Sequence, residues 1–103
     1  MGKKQDISSL AISIGNTSAH KIILAKTNKP ESKKHLTDEI RDYSFDAFSK
    51  SQLHNWAKED VAQLIKKSSS VAEKFLNRYP DIIYKEKEIK EAVIDTMQEL
   101  LII

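Results

Sequence analysis

Residues 53–79 constrain the fold more than any other part of the chain. Apolar side chains recur there at Leu53, Ala57, Val61, Leu64, Ala72, Phe75 and Tyr79, with Ile65, Val71 and Leu76 beside them. The steps are threes and fours, the repeat of an amphipathic helix with one buried stripe. Ser68 falls in the middle of that stripe. It either bonds back to the Leu64 carbonyl inside one long helix or marks a break, with Ser70-Val71-Ala72-Glu73 as a capping box. The stripe keeps its phase across the serines, so the continuous helix is the expectation. Pro80 has no N–H and restricts Tyr79, which ends the helix near there.

Two more helical stripes flank this one. Leu36, Ile40, Tyr43 and Ala47 follow Pro30, which suits a first helical turn. Ser49-Lys50-Ser51 reads as the connection to the long helix. Ile89, Val93, Thr96, Met97 and Leu100 make the last stripe, with Asp81 as its candidate cap. The opening segment reads differently. Leu10, Ile12 and Ile14 alternate with smaller residues, Gly15-Asn16-Thr17-Ser18 is a turn cluster, and Ile22 and Leu24 alternate again. That pattern predicts a β-hairpin with Ala11, Ile23 and Ala25 on its second face. The expected fold is therefore α+β, β-β-α-α-α, a hairpin packed on three helices, in a single domain over residues 1–103.

Composition excludes several functions. There are no cysteines, so disulfides, thiol catalysis and cysteine-bound zinc are out, and a cytoplasmic location is expected. No apolar run reaches the ~18 residues of a membrane span, and the N-terminus lacks the apolar core of a secretory signal. Seventeen Lys+Arg stand against 15 Asp+Glu, a balance that favours neither nucleic acid nor a membrane surface. With glycine only at positions 2 and 15, no P-loop can form.

Ser13-Ile14-Gly15-Asn16-Thr17 resembles the first phosphate loop of actin-like kinases such as the type III pantothenate kinases, D-x-G-N-T. The resemblance implies phosphate contact by residues 15–17. It covers five residues, and Ser13 stands where that family has its metal-linked Asp. A second phosphate loop is absent, and the chain is too short for the two-lobed fold. A plain hairpin turn is the reading carried forward.

The remaining candidates are side chains rather than motifs. His20, His35 and His54 sit on different expected elements. His35 and Glu39, four apart, form half of a metal face without further ligands. Glu88, Glu91, Asp95 and Glu99 make an acidic stripe that reads as a solvated face. No cofactor is expected. Phe45 falls opposite its helix stripe and Trp56 at the edge of its own. Core contact is the first reading of both; as partner-facing anchors, with Ile23 and the apolar tail Leu101, Ile102 and Ile103, they are the candidate partner-binding residues. A lone hairpin with an unpaired edge and an apolar tail predicts a homodimer joined edge to edge. The expected function is a small non-enzymatic protein-interaction module that associates with itself. The alternative is a nucleic-acid-associated regulator using Lys33, Lys34, Lys66 and Lys67.

Overall fold

The computed structural model describes residues 2–103 and is all-helical: among these residues there is no strand. The elements are α1 (Lys3–Lys26), α2 (Pro30–Ser51), α3 (Lys58–Leu76) and α4 (Glu86–Glu99). This overturns the α+β expectation. The predicted hairpin is one helix of 24 residues.

The physical reason lies in where α1 sits. The other three helices all pack against it, and α3 and α4 also pack on each other, whereas α2 packs along α1 alone. A helix covered on three sides needs no polar face. Ile7, Leu10, Ala11, Ile14, Ala19, Ile22 and Ile23 are buried, and so are Ser13, Thr17, Ser18 and His20. Such a helix shows no clean helical period, and its short apolar runs imitate strand alternation. Ile12, read as a core residue of the hairpin, is instead exposed.

The turn-like cluster at residues 15–18 serves close packing. Gly15 lies where α1 crosses α3. A Cβ on it would stand 2.6 Å from Val71 Cβ and 2.8 Å from the Ser68 carbonyl oxygen. Three buried hydroxyls bond within their own helices: Thr17 donates to the Ser13 carbonyl at 2.8 Å, Ser18 to that of Ile14 at 2.7 Å, and Thr96 to that of Ala92 at 2.8 Å. These back-bonds let small polar residues sit inside a helix without an orphaned group.

The other helices match their stripes more closely. Leu64, Ser68, Ala72 and Leu76 are buried along α3, which runs unbroken through residues 68–70. It starts later than the stripe suggested, with Ala57 as N-cap and Leu53 exposed. Asp60 accepts from the Ala57 N–H at 2.9 Å, and Lys3, ahead of that backbone bond, holds its carboxyl below the usual range. Helix α2 carries on through Ser51, so the connection is residues 52–57. Helix α4 starts at Glu86 with Lys85 as N-cap, not Asp81. Its buried side holds Ile89, Val93, Thr96 and Met97.

Ser68 Oγ differs from the other buried hydroxyls: it has no hydrogen-bond partner among the described residues, and the expected bond to the Leu64 carbonyl is absent. An unsatisfied buried hydroxyl costs about 1–3 kcal/mol, and alanine also favours the helix. Ser68→Ala should therefore raise stability by about 1 kcal/mol, read as a higher urea midpoint at constant slope. A lower midpoint would mean that the hydroxyl has a partner in solution.

Candidate functional site

Polar side chains on α1 meet α2 in two places. The first is built around His20, which is 2% exposed. Its Nδ1 lies 2.6 Å from the Asn16 carbonyl oxygen, and its Nε2 lies 2.5 Å from Glu39 Oε2. A carbonyl oxygen can only accept, so Nδ1 carries hydrogen. The other oxygen of Glu39 meets His35 Nε2 at 2.8 Å. One carboxyl thus bridges two imidazoles. The His20 ring is flanked by Tyr43 and Phe75, with centroids 5.1 and 4.7 Å away. The described residues hold no group of three ligands able to take a metal.

The second place is a closed ring of Ser13, Asp46 and Lys50. Ser13 Oγ donates to Asp46 at 2.5 Å, Lys50 Nζ donates to Ser13 Oγ at 3.1 Å, and Lys50 pairs with Asp46 at 2.8 Å. Lys50 and then the Ser13 hydroxyl hold the Asp46 carboxyl below the usual carboxylate range. The hydroxyl hydrogen is already given to Asp46, and Lys50 acts as a donor here. The arrangement clamps two helices and leaves no free base beside the serine.

Helix α4 is held to α1 by charge. Lys21 reaches Asp95, Glu99 and the Thr96 hydroxyl, and Lys26 pairs with Glu88 at 2.8 Å. Lys26 keeps the Glu88 carboxyl low. Three members of the acidic stripe therefore answer lysines of α1.

The outer side of α2 is apolar where it need not be. Phe45 is 74% exposed, and Phe48 is also exposed. Because α2 does not pack on α4, a groove of about 330 Å³ stays open between them, lined by Phe45, Phe48, Arg41, Thr96, Glu99 and Leu100. The end of α4 adds a third apolar group. Leu101 has φ 61°, the left-handed region, and is 83% exposed. The Ile102 N–H bonds the Met97 carbonyl and the Leu101 N–H bonds that of Gln98. This is a Schellman ending, in which glycine normally holds the position of Leu101.

The other expected site residues are placed as follows. Ile23 is 4% exposed and belongs to the core, so it offers no surface for a protein partner and only lines the floor of a cleft. Trp56 is half-buried, donates from Nε1 to the Ser51 carbonyl at 2.9 Å, and carries the Lys3 ammonium 5.8 Å from its ring centroid. It pins the connection between α2 and α3. Ile102 packs on the core and Ile103 is exposed. With no sheet edge among the described residues and the tail folded through a helix ending, the edge-to-edge dimer has no basis. Residues 13–17 lie inside α1, so they form no phosphate loop.

Lys33, Lys34, Lys66 and Lys67 are all exposed, but they do not converge. Lys67 reaches Ser8 near the start of α1, whereas the first turns of α2 lie by Ile23 near its end. Fifteen residues of helix separate those points, roughly 22 Å. Sequence reasoning missed the His20–Glu39 contact because it put His20 on a strand. The four-residue spacing of His35 and Glu39 was its one visible trace.

No protein-family model, no characterised protein and no solved structure matches this chain. Among the described residues no helix is long and apolar enough to cross a membrane.

Proposed function

We propose that this chain is a small, non-enzymatic, cytoplasmic protein-interaction module whose partner is a second copy of itself. The observation that carries this is Phe45, an exposed phenyl ring standing beside the open groove between α2 and α4. A knob next to a hole is self-complementary under a twofold axis: each Phe45 fills the groove of the other copy. Phe48 and Leu100 supply the walls, and buried aromatic anchors of this kind dominate interface energies. Leu101, next in sequence to the groove residue Leu100, adds an exposed apolar side chain at this end of α4. A leucine in the left-handed region costs about 1 kcal/mol against glycine, and its side chain makes no return on that cost inside the monomer.

Sedimentation at micromolar concentration tests the reading. The full chain should run as a dimer and Phe45→Ser as a monomer with an unchanged far-UV spectrum. A full chain that stays monomeric at several hundred micromolar, or a variant that dimerises equally well, would refute it.

A further inference from the structure

We propose that the cleft at the α1–α2 end of the bundle binds a small amphiphilic anion, one acid group on an apolar body. The cleft is a separate place from the Phe45 groove. Its walls come from the end of α1, the connection to α2, the first turns of α2, and the connection between α3 and α4. Its volume is about 470 Å³, within the range of about 300–1,000 Å³ typical of small-molecule sites.

The floor is apolar, made by Ile23, Leu36 and Ile82, of which the first two are core residues. The rim is charged. Lys26 and His35 also line it, but they are engaged by Glu88 and Glu39. Among the described residues Lys29 and Arg78 form no ion pair, and Asp81 is the one acid that lines the cleft with them. Arg78 lies with its guanidinium carbon 5.7 Å from the Phe75 ring centroid. That contact holds the guanidinium beside the cleft, and a planar fork matches the paired oxygens of a carboxylate or a phosphate monoester.

The combination selects the ligand class. An apolar floor alone would take a neutral hydrocarbon, and two surface cations alone would take any anion weakly. A body over Ile23, Leu36 and Ile82 with its acid group at Lys29 and Arg78 uses both. The affinity should weaken with salt, because the rim charges face water.

An amide NMR titration of the full chain tests this with octanoate and phenyl phosphate as probes. Inorganic phosphate is the head-only control and octanol the body-only control. We expect saturable shifts at Ile23, Leu36 and Ile82 with at least one amphiphilic probe, and at least about tenfold weaker binding of both controls. Lys29→Gln with Arg78→Gln should weaken the amphiphile about tenfold or more. Both side chains are exposed, so the rest of the spectrum should stay in place. The proposal is overturned if neither amphiphile saturates, if octanol binds as well as octanoate while phenyl phosphate does not saturate, or if the double variant binds unchanged. Loss of the Phe45 dimer leaves this cleft intact, so the two proposals fail separately.

Discussion

Gly15→Ala should destabilise the protein by about 2 kcal/mol, against the direction that helix propensity predicts. In an exposed helix the same change is favourable by about 1 kcal/mol, because glycine carries the larger backbone entropy. Here the added carbon has nowhere to go. It would meet Val71 Cβ and Cγ1 at 2.6 Å and the Ser68 carbonyl oxygen at 2.8 Å. Ordinary carbon–carbon contacts lie at about 3.5–4.0 Å. The branch point of a β-branched side chain cannot swing aside, and neither can a helix carbonyl. The two helices must part by close to an ångström. That opens a seam where Leu64 and Ala72 of α3 are fully buried. Overpacking of this kind costs about 1–3 kcal/mol, occasionally more. Urea unfolding of the single variant reads the loss, and Gly15→Val should lose more. Adding Val71→Ala should restore part of the loss in Gly15→Ala, a coupling that independent sites do not show. A more stable Gly15→Ala would mean that α1 and α3 do not approach as described.

The same crossing explains what was legible in the sequence. Helices α2, α3 and α4 each keep a solvent face, so Leu36 and Ala47, Leu64 and Ala72, and Val93 and Met97 announce a helical period. Helix α1 is enclosed by the other three and keeps almost none. Gly15, Thr17 and Ser18 are the residues a tight turn uses and also the residues a close helix crossing uses. Composition cannot separate the two, and only the partner helix decides. A strand reading of α1 also turns Ile23 to the surface and puts a dimer on a sheet edge that α1, as a helix, does not have. Phe45 was legible because its off-stripe position depends on α2 alone. The link between His20 and Glu39 was not, since it needs the packing of α1 on α2.

His20→Ala should cost about 3 kcal/mol, and Glu39→Ala about 1–2 kcal/mol. Removing the ring leaves a hole between Tyr43 and Phe75 and takes away both bonds to α2 and to the Asn16 carbonyl. The freed Glu39 loses less, since it is 34% exposed and keeps His35. Removing Glu39 instead leaves a buried Nε2 facing no partner, and an orphaned polar atom at 2% exposure carries the desolvation cost. Water entering where the carboxyl stood recovers part of that, which sets the smaller figure. His20→Phe separates packing from hydrogen bonding. It keeps the aromatic volume, leaves no ring nitrogen to satisfy, and lets Glu39 turn to solvent. It should therefore lose less than His20→Ala, and adding Glu39→Ala to it should cost almost nothing more. Equal losses for His20→Phe and His20→Ala would show that the hydrogen bonds of the ring, to Glu39 of α2 and to the Asn16 carbonyl, rather than its packing, hold this end of the bundle. If Glu39→Ala costs as much beside His20→Phe as it does alone, the two side chains do not interact.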